Sequence, residues 1–185
     1  MNLASSLRNL PELRTVRLRI APLQTRDAAP LQGLTDDPRI TEAIDFLSSP
    51  FTYADALGLI AKNDGDGDRF LGLWELQTDA LVGVFGVHLR DEDSIEIGYW
   101  VGSAYQGRGY ALEAVIGLSS LLAIHCPRRR ILAECRPENI PSWKVLTKAG
   151  FVPTGREGIR TGRKLLALPQ SGPILSTNFL GATSR

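Results

Sequence analysis

Apolar and polar residues alternate in short segments of the chain, at the two-residue period of a strand with one buried face. TVRLRI, residues 15–20, has this pattern, and two mainly apolar segments at 69–76 and 81–89 are separated by a short turn. These two segments predict a hairpin, and SIEIGYWV at 94–101 predicts a third strand with little chain between. Together they predict an antiparallel meander.

Helices are predicted in the segment that precedes the hairpin. Short helices are expected over residues 25–34 and 38–47, and a better-marked helix follows Thr52. Thr52 and Asp55, three residues apart, resemble a capping box at the start of that helix.

The pattern after the meander is helical and then β-branched. A long helix is predicted from about Arg108 to Ile124, followed by a strand over 129–135. Because this helix connects two strands, the region predicts a βαβ unit. A helix over 142–149 and two short strands, at 151–155 and 163–168, complete the pattern.

This order of elements predicts an α+β fold, in which an antiparallel meander leads into a single parallel crossover. The length of 185 residues suits one domain. We expect an N-terminal arm over 1–13, a domain over 14–168 and a C-terminal tail over 169–185, where Gly, Pro, Ser and Thr dominate.

Composition narrows the classes of function. The chain is 43% hydrophobic and 22% charged, as is ordinary for a soluble globular protein. Its net charge of +1 gives no electrostatic footprint for nucleic acid or an anionic membrane. The sequence shows no apolar run of membrane-spanning length and no secretory h-region. We therefore expect a cytoplasmic protein without nucleic-acid or membrane partners.

Metal binding is not indicated by the sequence. The two cysteines and two histidines lack the spacing of a zinc site. Asp64, Asp66, Asp68 and Glu75 match four positions of a calcium loop, but Arg69 stands where that loop needs glycine. We expect no metal.

The stretch AYQGRGYALEA, residues 104–114, predicts an anion site. A helix N-terminus leaves about four N–H groups unpaired, and Gly107 and Gly109 lack side chains that would keep a phosphate away. Tyr110 and Ala111 exclude a P-loop, and Leu112 stands where a dinucleotide fingerprint needs a small residue. The glycines alone also fit a loop that merely joins a strand to a helix.

Neighbouring motifs carry a family resemblance. Gln106, Gly109 and Ala111 match the Q/R-x-x-G-x-G/A pyrophosphate motif of the GNAT N-acetyltransferase superfamily. EIGYWV, QGRGYALEA and ECRPEN-x2-S-x2-VL-x3-GF follow in the order found in the subgroup of ribosomal-protein N-terminal (alanine/serine) acetyltransferases. The resemblance extends over residues 14–168.

The resemblance implies a GNAT fold, with a mixed central sheet whose parallel strands, 94–101 and 129–135, splay apart around the pantetheine arm of acetyl-CoA. Strand backbone is implied to bind the pantetheine, the glycine loop the pyrophosphate, and Asn139 the cofactor arm. Asn139 also fits a simple turn residue. The implied cofactor-binding residues are Trp100, Val101, Gln106, Gly107, Arg108, Gly109, Tyr110, Ala111 and Asn139.

The implied reaction is direct transfer of an acetyl group from acetyl-CoA to a primary amine. Glu96 is the candidate general base, although it could equally face solvent or pair with a basic side chain. Leu146 stands where many members carry a tyrosine acid, so the usual acid is missing. Ser142 stands where the ribosomal-protein subgroup carries a serine near the cofactor sulfur, and the resemblance therefore makes it the candidate donor to the leaving thiolate. Ser142 also fits a helix N-cap. His88, on an alternating strand, more often has a structural role.

Two other functions remain open from the sequence: transfer of another acyl group such as succinyl, and a CoA-binding regulatory module without turnover. The acceptor could be a peptide N-terminus or a small-molecule amine. The superfamily often dimerises, so a homodimer is also possible from the resemblance.

Overall fold

The computed structural model describes Leu7 and residues 10–169. Most of the predicted arm and nearly all of the predicted tail lie outside the described residues. Leu7, Leu10 and Leu13, which belong to the segment predicted as an arm, are buried in the main core.

Within the described residues, eight strands form one mixed sheet in the order β1-β2-β3-β4-β5-β6-β8-β7. Of these neighbours only β5 and β6 run parallel, which confirms the predicted meander and βαβ unit. The strands are β1 Leu13–Arg14, β2 Leu18–Pro22, β3 Asp68–Glu75, β4 Leu81–Leu89, β5 Ser94–Val101, β6 Arg130–Cys135, β7 Val152–Glu157 and β8 Lys164–Leu168.

Five α-helices are found in the described part of the chain. They are α1 Ala28–Thr35, α2 Pro38–Thr41, α3 Tyr53–Ala61, α4 Tyr110–His125 and α5 Ile140–Lys148. The predicted capping box at the start of α3 is confirmed, since Thr52 and Asp55 each bond the other's backbone N–H. In this region no helix is long and apolar enough to span a membrane.

Two early elements differ from their predictions. The strand expected over 15–20 begins only at Leu18, because the N–H of Thr15 donates to the Leu18 carbonyl oxygen at 2.9 Å and closes a tight turn. The alternation thus belongs partly to a hairpin between β1 and β2, and Val16 is 87% exposed. The helix expected over 38–47 ends at Thr41, and its remainder forms turns.

The sheet carries a core on each face. One core packs against α4 and includes Ile95 and Ile97, while the other packs against α1 and α3 and includes Trp100. Because side chains alternate along a strand, Glu96 lies on the same face as Trp100, and Tyr99 lies on the α4 face. Successive residues of β5 therefore serve opposite sides of the sheet.

The parallel pairing of β5 and β6 ends before the strands do. Their register runs from Ser94 opposite Arg130 to Ile97 opposite Ala133, although β5 continues to Val101. Beyond that point the two strands separate and leave a gap in the sheet. This gap corresponds to the splayed strand pair that the resemblance implies.

Candidate active site

A cleft of about 900 Å³ lies at the gap between β5 and β6. Its walls include the glycine loop, the ends of β5 and β6, the start of α5, and segments near residues 39–46 and 160–163. Both Tyr99 and Trp100 line it, so the cleft reaches side chains of both sheet faces.

The glycine loop has the geometry of an anion site. Gly107 and Gly109 adopt φ values of 75° and 83°, a left-handed conformation that favours glycine. The Glu113 N–H bonds the Gly109 carbonyl oxygen at 3.1 Å, as the first full helical turn closes. The N–H groups of residues 109–112 precede that turn, where a helix has no partners for its own donors. A Cβ built on Gly107 would meet no described atom within 4 Å, so the space beside the loop is open.

Gln106 holds this loop against the end of β5. Its Nε2 donates a hydrogen bond to the Val101 carbonyl oxygen at 3.0 Å. Arg108 packs its guanidinium over the ring of Tyr105, 5.7 Å from the centroid. Gln106 lines the cleft together with the two glycines, whereas Arg108 is not among the described residues that line it.

Tyr110 and Arg17 hold the loop at the start of α4. Tyr110 is buried, and its hydroxyl donates to Glu75. The Arg17 guanidinium lies 4.8 Å from the Tyr110 ring centroid, donates to the Arg108 carbonyl oxygen at 2.8 Å and pairs with Glu113 at 2.7 Å. Arg17 was missed by sequence reasoning, because its partners lie more than 90 residues away.

Asn139 and Ser142 lie together at the start of α5. Asn139 is the N-cap, and its Oδ1 accepts the Ser142 N–H at 3.2 Å. The alternative in which Ser142 is the N-cap is therefore wrong, since Asn139 takes that place. The single side-chain oxygen of Asn139 thus caps the helix.

The Ser142 hydroxyl meets a second hydroxyl, that of Tyr99, at 3.0 Å. Burial raises the pKa of Tyr99 above its usual range, although the contact with Ser142 opposes this shift. Burial likewise raises the pKa of the Cys135 thiol. A neutral Tyr99 can donate its proton to Ser142 Oγ, which leaves the Ser142 proton available to the cleft.

Glu96 is held between two arginines. Its oxygens contact Arg90 Nε at 2.7 Å and Arg160 Nη2 at 2.6 Å, and its side chain is 6% exposed. Burial alone would raise the pKa of Glu96, but the hydrogen bonds from Arg90 and Arg160 outweigh it and hold the pKa below its ordinary value. Of the alternatives left open by the sequence, pairing with basic side chains is the one found.

Arg160 extends these ion pairs to the next strand. It also pairs with Glu134 at 3.0 Å, and Glu134 accepts the Ile159 N–H at 2.5 Å. On the other wall, Asp45 pairs with Arg136 at 2.6 Å and Arg163 at 2.9 Å. Charged pairs thus tie the segments around residues 45 and 160 to the sheet.

His88 lines the cleft beside Glu96. The two residues are paired across β4 and β5, so their side chains share one face. His88 Nδ1 lies 2.7 Å from Asp68 Oδ1, and the ring meets the edge of Phe70 at a centroid distance of 5.4 Å. Trp100 completes this wall, with its Nε1 bonded to Thr35 Oγ1 at 3.1 Å.

A family match accompanies the glycine loop, the strand gap and the polar cleft. The Acetyltransferase (GNAT) domain family matches residues 17–152 of the chain. The chain belongs to this family. Among the described residues, no group of three or more side chains could hold a metal ion.

Two relatives show how far the similarity extends along this GNAT acetyltransferase. The uncharacterized N-acetyltransferase YnaD of Bacillus subtilis (strain 168) is 32% identical over 141 residues, which are 75% of this chain and 81% of YnaD. The ribosomal-protein-serine acetyltransferase of Escherichia coli (strain K12) is 32% identical over 79 residues, 42% of this chain and 44% of that protein. This match confirms the predicted resemblance to the ribosomal-protein subgroup.

Solved structures confirm the GNAT fold. The GNAT-family acetyltransferase from Bacillus anthracis superposes with a TM-score of 0.77 at 25% identity, covering 88% of this chain and 100% of that one. RimL, a ribosomal L7/L12 alpha-N-protein acetyltransferase in complex with coenzyme A, superposes with a TM-score of 0.72 at 17% identity. That match covers 85% of this chain and 96% of RimL.

Proposed function

We propose that this GNAT acetyltransferase moves an acetyl group from acetyl-CoA directly to a primary amine, on a peptide N-terminus or a small molecule. The observation that carries the proposal is the continuous cleft from the glycine loop, through the strand gap, to the polar wall around Glu96 and His88. Family membership supports the acetyl-transfer chemistry, and RimL was solved with coenzyme A.

The residues of the cofactor end fit acetyl-CoA. The free N–H groups at the start of α4 and the open space beside Gly107 would hold the pyrophosphate. The backbone of residues 98–101 borders the gap where β6 no longer pairs, and it would hold the pantetheine amides. When bound, acetyl-CoA supplies the activated acetyl thioester.

Ser142 is proposed as the hydrogen-bond donor to the leaving thiolate. Its hydroxyl lines the cleft and lies 3.0 Å from the Tyr99 hydroxyl, and either oxygen can be the donor. When Tyr99 donates to Ser142 Oγ, the Ser142 proton is available to the thiolate. A hydrogen bond to a charged group contributes about 1.5–3 kcal/mol. In this chain Ser142 would take the role that Leu146 cannot, because Leu146 has no proton to donate and is buried.

The amine must lose protons during the transfer. An α-amino group has a pKa of about 7.7–8.0 and a lysine side chain about 10.4, so at pH 7 roughly one α-amine in ten is neutral. Glu96 remains a candidate base in this proposal, acting through water. Its two ion pairs make it a weak one, since protonation would loosen both.

Ligand-dependent stabilisation tests the cofactor. Binding at a hundred times the Kd stabilises a fold by about 2.7 kcal/mol, so acetyl-CoA and CoA should raise the melting temperature clearly. NAD serves as the control, and stabilisation by NAD alone would contradict the proposal. Succinyl-CoA in the same series tests the alternative acyl donor.

Thiol release from acetyl-CoA over a panel of free-N-terminal peptides and small amines then tests turnover. We expect release with at least one amine and none with the same amine after blocking by acetylation. Stabilisation by acetyl-CoA without release for any amine would instead favour the CoA-binding regulatory module.

A further inference from the structure

We propose that His88, oriented by Asp68, is the group that accepts a proton from the acceptor amine. This inference rests on the proposed amine acetylation. It assigns the role of general base to His88, for which the sequence pattern favours a structural role.

The contact with Asp68 sets the tautomer of the imidazole. Asp68 Oδ1 lies 2.7 Å from Nδ1, so a carboxylate there accepts the Nδ1 proton. The hydrogen bond from His88 lowers the pKa of Asp68, which keeps Asp68 ionised. Neutral His88 therefore carries its lone pair on Nε2, as a proton acceptor requires.

The ring lies on the cleft wall over a glycine. A Cβ built on Gly86 would be only 2.5 Å from His88 Nε2, so the absence of a side chain at residue 86 makes this ring position possible. Both residues line the cleft. Among the described residues, the hydrogen bond found for this imidazole is the one at Nδ1.

Glu96 and His88 are cross-strand neighbours with opposite capacities for a proton. Both oxygens of Glu96 are ion-paired with arginines, so protonation there opposes two contacts. An imidazolium at His88 would instead contact the carboxylate of Asp68, which favours the charge. In this proposal Glu96 stays ionised and His88 accepts the proton.

Other charges also act on this acceptor. Arg90 and Lys62 act on Asp68 over longer range, and Arg160 reaches Glu96 from the loop before β8. These cations oppose an imidazolium, whereas the carboxylate of Asp68, in direct contact with the ring, favours it.

The proposed proton transfers balance. The acceptor ammonium gives one proton to Nε2 and becomes a neutral amine, whose nitrogen forms the new bond to the acetyl carbon as the carbon–sulfur bond breaks. The second amine proton ends on the sulfur, giving the free thiol. The imidazolium then releases its proton to solvent.

The position on the sheet supports these roles. His88 and Glu96 lie on the face opposite Tyr99, which contacts Ser142. An amine would therefore approach the strand gap from the side opposite the thiolate donor, so attack and departure need not compete for one space.

The kinetic test uses the amine found in the turnover panel. His88→Gln should lower kcat by about 100-fold at pH 7, with the KM for acetyl-CoA unchanged. The deficit should shrink as pH rises above the pKa of the acceptor, because the amine is then already neutral. His125→Gln, at the exposed end of α4, is the matched control and should behave as wild type.

Asp68→Asn tests orientation rather than proton transfer. It should lower kcat by less than His88→Gln and move the acid limb of the pH–rate profile, because the carboxylate charge that favours the imidazolium is removed. If His88→Gln keeps kcat within twofold of wild type while the wild type is active, the inference is wrong and the proposed function stands. If the wild type acetylates no amine, both the proposed function and the inference about His88 are wrong.

A second measurement does not depend on activity or on how His88→Gln folds. The chain has two histidines, so ¹⁵N-labelled His125→Gln protein carries one imidazole signal set. Its neutral form should show the proton on Nδ1, and Asp68→Asn in the same background should change that distribution. A proton resident on Nε2 would overturn the inference.

Discussion

The two ends of the cleft differ in the kind of chemical group that lines them. At the proposed cofactor end, the groups available to bind a ligand are backbone N–H donors of a few consecutive residues after β5, where two glycines adopt left-handed conformations. At the proposed acceptor end, the groups are side chains from distant parts of the chain, such as Asp45 with Arg163, which are 118 residues apart. One end depends on backbone shape and the other on placed charge.

This difference predicts which substitutions disrupt each end of the cleft. Backbone donors are present whatever the side chain, so the cofactor end fails when its conformation changes. Side-chain donors and acceptors are lost by single isosteric substitutions, so the acceptor end fails when a charge or a proton is removed.

The largest effect is expected from Gly109→Val. A β-branched residue is strained at φ 83°, and a Cβ there would lie 3.3 Å from Arg17 Nη2. We expect acetyl-CoA affinity to fall by at least about 100-fold, equivalent to about 2.8 kcal/mol. Isothermal titration calorimetry measures it.

Gly155→Val is the matched control for this change. Gly155 also has a positive φ, of 75°, but it lies in β7 outside the cleft. It should cost stability and leave acetyl-CoA affinity unchanged. Equal losses of affinity in both variants would show that strain anywhere in the fold, rather than loop shape, weakens binding.

A smaller effect is expected from Ser142→Ala, at the junction of the two ends. Loss of one donor to a developing thiolate should lower kcat by about 10- to 100-fold, because such a bond contributes about 1.5–3 kcal/mol. The KM for acetyl-CoA should change little. Steady-state kinetics with the amine from the panel measures both.

Two further variants make the Ser142 result specific. Ser142→Thr keeps a hydroxyl and should restore part of the rate, and Ser120→Ala removes a hydroxyl that bonds Ile116 on α4. Ser120→Ala should not change kcat. A fully active Ser142→Ala enzyme would remove Ser142 from the proposed mechanism.

The same contrast explains what the sequence could predict. The meander, the long helix and the glycine loop depend on residues close together in the chain, and their predicted bounds agree with the structure to within a few residues. The strand gap was implied by the resemblance and follows from where the register of β5 and β6 ends.

The acceptor end could not be predicted in the same way. The arginines at 90 and 160 neutralise Glu96 from separate loops, and Asp68 orients His88 from a neighbouring strand. In the sequence, Glu96 and His88 each fit a structural role. Only their partners in the three-dimensional structure show that Glu96 is ion-paired and that His88 is oriented by a carboxylate. Leu13 shows a related limit, because a short apolar segment before a turn gave no sign that it joins the sheet.

The smallest effect is expected from Glu96→Gln, measured as stability against pH. Because the folded pKa of Glu96 lies below its ordinary value, the ionised carboxylate stabilises the fold at pH values above that ordinary value. This contribution is lost as the pH falls through the folded pKa. Glu96→Gln should therefore be less stable than wild type at pH 7, and the difference should narrow below about pH 4.5.

Urea denaturation at pH 7 and at pH 4 measures that difference, with Glu92→Gln in the exposed β4–β5 loop as control. One proton limits the slope to about 1.4 kcal/mol per pH unit, which is why this effect ranks last. A difference that is independent of pH would mean that Glu96 titrates alike in folded and unfolded chains, and that Arg90 and Arg160 do not hold its charge. Glu96 would then again be a candidate proton acceptor beside His88. The proposed roles, in which Glu96 stays ionised and His88 accepts the proton, would be wrong.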